Sequence, residues 1–324
     1  MTSHHPIFSK FKPWSGIIDS KYMVNFLGVF TNKSFLCSVD LQGNFKDLST
    51  GDRSEKITAS TEYPKMEEGY FEMINVLETA VNAKNTYTLV ELGAGFGPHL
   101  VNGAAALRAY HGSNIPYKLI GVEGEPTSFK WMNEHMKSNG INPDDQLLFQ
   151  GAVSDKDGYV LFEVGCPGGY GCTVVPPLKH MLTPLRSSFR LLKRTLKRLA
   201  GKPILPSDYW TGKKGLDIST QKVKAVALST LLEKADLIDL MHVDIQGAEY
   251  TVLSSSTDLL NKKIKRVHIG THSEKLEENL RAMFKEMGWV CKFDFPGRRE
   301  NSTEYGTIKF ADGVQTWINP GLAK

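Results

Sequence analysis

The distribution of apolar and polar positions divides the chain near residue 85. Before this point, residues 26–30 and 34–39 predict two short strands, and the polar residues 49–61 predict a loop. Residues 65–84 predict a helix, because their apolar positions recur at i, i+4, i+7 and i+11 and so share one helical face. The N-terminal part is therefore expected to have mixed secondary structure.

After residue 85 the pattern predicts strands that alternate with helices. The predicted strands cover residues 87–92, 117–122, 146–150, 159–164, 237–243, 264–269, 290–295 and 306–310, and the predicted helices cover residues 98–110, 126–138 and 274–287. The last two strands are expected to pair with each other. Such alternation predicts an α/β fold with a mostly parallel, doubly wound sheet and helices on both faces.

A long interruption breaks this alternation at residues 165–222. A loop of this length inside a compact domain is usually a lid, a binding element or a disordered segment. We therefore predict an N-terminal extension, residues 1–84, that contacts the substrate or a second copy of the chain in a homo-oligomer. The main domain is expected to cover residues 85–324 and to carry the insert at residues 165–222.

The positive charge of the chain is concentrated in this insert. The chain has 39 Lys and Arg against 35 Asp and Glu, a net charge of +4, but residues 179–202 contain eight basic residues and no acidic one. Residues 182–199 predict a helix with one apolar face, formed by Leu185, Phe189, Leu192, Leu196 and Leu199. Either this helix docks on the domain surface, or it attaches the protein to an anionic membrane surface or to a lipid-linked or acidic substrate. Nucleic acid is not expected as a partner, because the basic residues are not interleaved with aromatic ones.

The sequence also bears on cellular location. It contains no run of 18 apolar residues, and its first residues lack the charged and apolar blocks of a signal peptide. The four cysteines match no zinc pattern and are expected to be reduced, with a bridge between Cys166 and Cys172 as the alternative. These features predict a cytoplasmic protein, which would be membrane-peripheral if the basic helix binds lipid.

A glycine-rich turn after the first predicted strand of the main domain is the strongest chemical signal. It contains Glu91, Gly93, Ala94, Gly95, Phe96 and Gly97 and leads into a predicted helix, as cofactor-binding turns of doubly wound sheets do. Its glycines alternate, whereas the dinucleotide fingerprint is G-x-G-x-x-G. The spacing favours S-adenosylmethionine over a dinucleotide, because that cofactor has no pyrophosphate to hold and Glu91 can meet its amino group.

Two further segments are expected to complete the cofactor site. Glu123 and Gly124 end the next predicted strand, where a carboxylate can accept hydrogen bonds from the two ribose hydroxyls. The small residues Gly151, Ala152 and Val153 follow another strand and leave room for an adenine ring.

Residues 239–249, with the sequence DLMHVDIQGAE, resemble the "DLlKiDvEGaE" signature of the FkbM family of S-adenosylmethionine-dependent methyltransferases. Residues 63–72, 90–97, 152–158 and 267–273 also resemble segments of this family, in the same order along the chain. The resemblance implies a class I methyltransferase fold, which is Rossmann-like, with S-adenosyl-L-methionine as cofactor. This chain has His242 and Gln246 where family members often have lysine and glutamate, and His99 where some have tryptophan.

The resemblance places the chemistry at Asp244, which is expected beside both the cofactor and the methyl acceptor. Either Asp244 or His272 is expected to take the proton of an acceptor hydroxyl while the other orients it, and His242 is a candidate supporting residue or a packing residue. Some related sugar methyltransferases use magnesium, so Asp244 and Glu249 could hold Mg²⁺. The alternative for Glu249 is a structural role at the start of the following helix.

These features predict an O-methyltransferase that acts on a hydroxyl of a sugar, glycan or secondary metabolite. The expected partner is therefore a small-molecule or glycan acceptor. Two alternatives stay open at this point. A cofactor-binding scaffold without turnover would bind S-adenosylmethionine but transfer no methyl group, and a nicotinamide-dependent oxidoreductase would bind a dinucleotide instead.

Overall fold

The computed structural model of the protein describes residues 4–35, 37–39, 45–47, 55–165, 167, 173–174 and 219–323. The strands of this part are β1 (Ser15–Asp19), β2 (Tyr22–Val24), β3 (Phe30–Asn32), β4 (Cys37–Val39), β5 (Phe45–Asp47), β6 (Lys56–Ser60), β7 (Tyr87–Leu92), β8 (Tyr117–Glu123), β9 (Leu147–Gln150), β10 (Ala152–Ser154), β11 (Gly158–Val164), β12 (Ser219–Ala227), β13 (Leu240–Val243), β14 (Arg266–Thr271), β15 (Val290–Phe295), β16 (Glu300–Thr303), β17 (Gly306–Lys309) and β18 (Gly313–Ile318). The helices are α1 (Glu68–Val81), α2 (Pro98–His111), α3 (Pro126–Ser138), α4 (Leu228–Leu232), α5 (Glu249–Ser254), α6 (Thr257–Lys263) and α7 (Glu274–Glu286). Short 3₁₀ turns cover Pro6–Lys10, Lys33–Phe35 and Pro143–Asp145.

A seven-stranded sheet forms the centre of the molecule, in the order β15-β18-β14-β13-β7-β8-β9. The five strands from β14 to β9 are parallel, and only β18 runs in the opposite direction, antiparallel to both of its neighbours β14 and β15. Helices pack on both faces of this sheet. The α/β fold with a mostly parallel sheet is thus confirmed.

The buried strands explain why apolar runs predicted this sheet. All six residues of β7 are buried, because successive side chains enter different cores on the two faces. Leu89 packs in the core beneath α1, α2 and α3, whereas Val90 and Leu92 pack in the core beneath α4 to α7. The strand order reverses between β7 and β13, which is the point where doubly wound sheets bind ligands at the carboxyl ends of their strands.

The predicted closing pair of strands is wrong. Residues 290–295 do form β15, but their partner is β18, whereas residues 306–310 contribute β17 to a separate hairpin with β16. β18 was not predicted because its buried residues include the polar Gln315 and Thr316, which interrupt the apolar run. Both form hydrogen bonds inside the protein. Gln315 donates to the Glu277 carbonyl, and Thr316 Oγ1 contacts His268 Nδ1.

The N-terminal extension also departs from the predicted pattern. Phe26 is not in a strand but in the turn between β2 and β3, where it packs against Phe8 and Tyr63. Within the predicted loop 49–61, Lys56–Ser60 forms β6 and pairs with β1. Phe8 stacks on Tyr70 of α1, so the extension contributes to the same apolar core as the first helices.

The insert leaves and returns at the end of one strand pair. Val164, the last residue of β11, pairs with Ser219, the first residue of β12, so the two ends of the insert lie side by side. The predicted basic helix at residues 182–199 and the predicted cysteine pair at residues 166 and 172 lie outside the described residues. Within the part of the chain that the structure describes, no helix is long and apolar enough to cross a membrane.

Glu78 of α1 joins two cations across the end of the sheet. Its carboxylate accepts a hydrogen bond of 2.6 Å from Arg266 and one of 2.6 Å from Lys292, and it is largely buried. Burial by itself would raise the pKa of Glu78, but Arg266 and Lys292 lower it overall. The carboxylate therefore stabilises the folded chain in its charged form.

We expect Glu78→Gln to lower the free energy of unfolding by about 3 kcal/mol at neutral pH, because it leaves two partly buried cations without their partner. A group with a lowered folded pKa stabilises the protein above its unfolded pKa, about 4.3, and loses this effect as the pH falls through the folded pKa. The difference between variant and wild type should therefore shrink below about pH 4 in urea unfolding experiments. Glu134→Gln, which removes the exposed 3.8 Å pair with Lys130, is the control and should cost less than about 0.5 kcal/mol. Equal losses for both variants would contradict this prediction.

Candidate functional site

A cavity of about 410 Å³ opens at the carboxyl ends of β7, β8 and β13. This volume suits a small ligand. The cavity is lined by Phe35, Glu72, Glu91, Gly93, Ala94, Gly95, Phe96, Pro98, His99, Val122, Glu123, Gly124, Glu125, Gly151, Ala152, Val153, Phe162, Val174, His242, Asp244, Ile245, Gln246 and Ala248. All the predicted cofactor residues except Gly97 belong to this set. Gly97 instead precedes α2 with a φ of 71°, packed against Met132.

The two first glycines of the turn serve different purposes. Gly93 has a φ of +77°, and a Cβ added to it would lie 1.9 Å from the Asp244 carbonyl oxygen. Gly95 has a φ of +54°, but an added Cβ would meet nothing within 4 Å. The first glycine therefore lets the turn pack against the end of β13, whereas the second keeps the backbone exposed to the cavity.

Glu91 occupies the N-terminus of α2. Its carboxylate accepts hydrogen bonds from the backbone N–H groups of His99 and Leu100 at 3.4 and 3.2 Å, and only 2% of its surface is exposed. Burial raises the pKa of Glu91 to about 8. In dinucleotide-binding folds, the backbone N–H groups at this helix N-terminus donate hydrogen bonds to the pyrophosphate. Here they donate to the Glu91 carboxyl group instead.

Glu123 holds the glycine turn to the end of β8. Its two carboxylate oxygens accept hydrogen bonds from Gly95 N at 2.7 Å and from Glu125 N at 2.6 Å. Burial raises the pKa of Glu123 to about 7. Because a carboxylate has about four lone-pair positions, Glu123 can still accept hydrogen bonds from a ligand in the cavity.

The polar lining of the cavity is acidic. Five carboxyl side chains line it, those of Glu72, Glu91, Glu123, Glu125 and Asp244, and no described lining residue is a lysine or an arginine. Such a lining offers acceptor oxygens to a ligand that carries hydrogen-bond donors or positive charge, and it disfavours a phosphate or diphosphate.

His272 lies between two carboxylates beside this cavity. Its Nδ1 is 3.0 Å from Glu249 Oε1 and its Nε2 is 3.3 Å from Asp244 Oδ1, while Asp312, which sequence reasoning missed, is 3.9 Å away. Burial alone would lower the pKa of His272, but Asp244 and Glu249 raise it to about 10. Asp244 lines the cavity and is 42% exposed at its side chain, whereas His272 does not line it.

Glu249 is fully buried and holds the loop after β13. Its Oε1 accepts hydrogen bonds from Ile245 N at 3.1 Å and Gly247 N at 3.0 Å. The structural alternative for Glu249 thus has direct support. Asp244, Glu249 and His272 each offer a ligand atom within 4.8 Å of the others, so a magnesium ion at Asp244 and Glu249 stays a prediction.

A row of polar residues crosses four neighbouring strands. Glu91 pairs in register with His242, His242 with His268, and His268 with Thr316. His242 and Asp244 both line the cavity, and the ring of His242 stacks on His99 with 3.9 Å between centroids. His99 also lines the cavity.

Glu72 of α1 faces this row, although it was not among the predicted site residues. Glu72 Oε1 lies 3.8 Å from His242 Nε2, and its Oε2 lies 3.5 Å from His99 Nε2. Burial alone would raise the pKa of Glu72, but His242 and His99 lower it, and Glu72 in turn raises the pKa of His242 despite its burial. Glu72 ends the segment 63–72 that resembles the family, but the helical periodicity of α1 marks only its apolar face and gives this residue no role.

The extension and the insert both reach the cavity. Phe35 of the extension lines it and stacks on Trp131 of α3, with 5.2 Å between ring centroids. At the start of the insert, Val174 lines the cavity and Thr173 donates a hydrogen bond of 3.2 Å to the Gln246 carbonyl. Both regions therefore shape the site, although no predicted site residue came from either.

Comparison with known proteins agrees with this architecture. Residues 91–295 match the sequence pattern of the methyltransferase FkbM domain. A curated protein of Jannaschia sp. (strain CCS1), provisionally named a methyltransferase, is 28% identical over 240 residues, which cover 74% of this chain and 75% of the relative.

Solved structures are more distant from this chain. The FkbM methyltransferase from Methylobacillus flagellatus KT is 9% identical with a TM-score of 0.41, over 73% of this chain and 45% of that one. A precorrin-6y C5,15-methyltransferase from Geobacter metallireducens GS-15 is 7% identical with a TM-score of 0.38, over 78% and 90%. With scores this low, the fold assignment depends on the strand order described above and not on these likenesses.

Proposed function

This chain belongs to the FkbM methyltransferase family, and from this premise we propose that it transfers a methyl group from S-adenosylmethionine to a hydroxyl of a sugar, glycan or secondary metabolite. The observation that carries the proposal is the acidic cavity at the strand-order reversal, which has five carboxyl side chains and no described lysine or arginine. S-adenosylmethionine suits it, because the sulfonium and the ammonium both carry positive charge. When bound, this cofactor supplies an electrophilic methyl group.

The lining residues fit the parts of that cofactor. Glu123 can accept hydrogen bonds from ribose hydroxyls, and Gly95 leaves open space beside it. Gly151, which has no side chain, and Ala152, which has only a methyl group, line the part of the cavity where an adenine would lie. The buried carboxyl group of Glu91 lies at the same end of the cavity as the glycine turn, within reach of a ligand amino group.

The same contacts disfavour a nicotinamide dinucleotide. In dinucleotide folds the pyrophosphate accepts hydrogen bonds from the N-terminus of the helix after the glycine turn. Here Glu91 already accepts those of His99 and Leu100. A diphosphate would have to displace a buried carboxyl group and lie close to Glu123 and Glu125.

Asp244 is the best candidate to accept the proton of the acceptor hydroxyl. Gln246 Nε2 donates to its Oδ1 at 2.9 Å, and His272 approaches the same oxygen, so Oδ2 has neither contact. His272 Nδ1 is hydrogen-bonded to Glu249 and its Nε2 faces Asp244 at 3.3 Å, an arrangement that suits a proton on each nitrogen better than a free base. We therefore assign proton acceptance to Asp244 and the orientation of its carboxylate to His272 and Gln246.

Isothermal titration tests the cofactor assignment directly. We expect the protein to bind S-adenosylmethionine and to show no binding of NAD⁺ at the same concentrations. Glu123→Gln should weaken S-adenosylmethionine binding about 10-fold or more, because one of the two acceptor oxygens for the ribose hydroxyls becomes an amide donor. Glu134→Gln, an exposed change on α3, should leave the affinity unchanged, and thermal unfolding of both variants checks their folding.

Binding of NAD⁺ alone would overturn the proposal in favour of an oxidoreductase. Cofactor binding without transfer to any glycan, metabolite or lipid extract would favour a scaffold protein.

A further inference from the structure

The polar row on the sheet contains buried imidazole nitrogens that the fold leaves without partners. His242 is 5% exposed and His268 is fully buried. Within the described residues, neither ring nitrogen of His242 has a hydrogen-bond partner, and neither does Nε2 of His268. Buried polar atoms are nearly always paired, so such a cluster indicates a group that binds there.

The geometry of two strands and one helix brings these nitrogens together. His242 of β13 and His268 of β14 are direct neighbours in the parallel register, and their rings stack with 5.3 Å between centroids. Glu72 approaches from α1, with Oε1 3.8 Å from His242 Nε2. One ligand atom from each of the three residues lies within 4.8 Å of the other two.

We propose that Glu72, His242 and His268 bind a divalent transition-metal ion, for which Zn²⁺ is the representative, at the base of the cavity. Two imidazoles and one carboxylate are a ligand set that such ions prefer, whereas Mg²⁺ prefers oxygen ligands. The site is separate from the predicted magnesium site at Asp244 and Glu249. Metal binding here goes beyond the proposed methyl transfer and does not depend on it.

The surroundings of His268 support metal binding by its free nitrogen. Its Nδ1 lies 2.8 Å from Thr316 Oγ1 and 2.9 Å from Asn75 Nδ2. Metal-binding histidines usually donate their second ring N–H to a polar acceptor, which leaves the other nitrogen for the metal. The two protons of Asn75 Nδ2 have acceptors in the Phe71 carbonyl and Thr316 Oγ1, so Nδ1 of His268 can carry its own proton and donate it to Thr316 Oγ1. Asn75 is in turn held by hydrogen bonds to the Phe71 carbonyl and Thr316, so this support is rigid.

A second, overlapping set is less suitable. Glu91, His99 and His242 also offer ligand atoms within 4.8 Å of one another, but the Glu91 carboxylate already accepts two backbone hydrogen bonds. Glu72 instead directs one oxygen to His242 and the other to His99, at 3.8 and 3.5 Å. We therefore place the ion at Glu72, His242 and His268 and not at the set that contains Glu91.

The ion would have one coordination position that no protein ligand occupies. Glu72 and His242 line the cavity, whereas His268 lies behind them. Three protein ligands with a fourth position left for solvent or substrate are typical of reactive rather than purely structural zinc sites. This position faces the space where the acceptor is expected, so an acceptor oxygen is the ligand that would complete it, and this last assignment rests on the proposed function.

Titration of the metal-free full-length chain with Zn²⁺ tests the site. After dialysis against a chelator, we expect one Zn²⁺ to bind per chain, and Co²⁺ to give the visible absorption of a site with nitrogen and oxygen ligands. Glu72→Gln and His242→Gln should each weaken Zn²⁺ binding at least about 10-fold.

His111→Gln is the matched control, because His111 binds only the Ala80 and Val81 carbonyls in the described structure and should not affect the affinity. A variant with His4 and His5 both changed to Ala should also bind Zn²⁺ normally, which separates the site from the N-terminal histidines.

S-adenosylmethionine titration of the same variants separates the two proposals. Glu72→Gln is the variant least expected to disturb folding, because Glu72 is partly exposed. Normal cofactor binding by Glu72→Gln with lost Zn²⁺ binding supports the metal site. Unchanged Zn²⁺ affinity in both Glu72→Gln and His242→Gln, or no Zn²⁺ binding by the wild type, overturns it whatever the cofactor result. Zn²⁺ binding by a wild type that does not bind S-adenosylmethionine would leave the metal site standing and overturn the proposed function.

Discussion

Gly93→Ala is expected to lower the free energy of unfolding by about 4 kcal/mol or more, which is enough to leave little folded protein. The added Cβ would lie 1.9 Å from the Asp244 carbonyl oxygen, and that oxygen belongs to the backbone and cannot rotate away. The turn and the end of β13 would have to separate, which would also disrupt the hydrogen bonds from Gly93 N and Ala94 N to the Val122 carbonyl. Urea unfolding followed by circular dichroism measures the loss.

Gly140→Ala is the matched control for this prediction. Gly140 has a φ of +70°, close to that of Gly93, but an added Cβ would meet nothing within 4 Å. This variant should lose only about 1 kcal/mol, the cost of a left-handed conformation for a residue with a side chain. If Gly93→Ala were no less stable than Gly140→Ala, the close approach of the turn to Asp244 would be wrong.

Asp244→Asn is expected to lower the rate of methyl transfer about 100-fold or more while S-adenosylmethionine still binds. The asparagine side chain keeps the size and the hydrogen-bonding shape of the aspartate but cannot accept the acceptor proton, and general-base catalysis usually contributes at least about 100-fold. Transfer of a labelled methyl group to glycan and lipid extracts gives the rate, and isothermal titration gives the cofactor affinity.

Two further variants serve as a control and a comparison for Asp244→Asn. Asp155→Asn is the control, because Asp155 is exposed after β10, does not line the cavity and contacts Ser154, and it should leave the rate unchanged. His272→Ala should reduce the rate less than Asp244→Asn does, since His272 acts by holding the Asp244 carboxylate. Near-normal turnover of Asp244→Asn would contradict the assignment of Asp244, and near-normal turnover of His272→Ala would remove any role for His272.

Local sequence signals predicted much of the fold and of the cofactor lining. The strand Tyr87–Leu92, the helix Pro126–Ser138 and the strand Val290–Phe295 have the bounds that their patterns predict. Local features of the sequence determine these bounds. Examples are an apolar run that ends at a glycine, and a proline that occupies the first turn of a helix. The glycine turn, Glu123 and the small residues after Gln150 were predicted for the same reason, because each follows a strand directly.

The sequence by itself therefore determined the alternation of strands and helices, the glycine turn and the residues at the strand ends. The tertiary structure alone decided which strands pair and in what register. Register placed His242 beside His268 and Glu91, and packing brought Glu72 to this row from a helix whose pattern showed only its apolar face. Pairing also made β18, and not residues 306–310, the partner of β15. These contacts join residues far apart in the chain, and a local pattern carries no information on the free energy of packing that selects among distant partners.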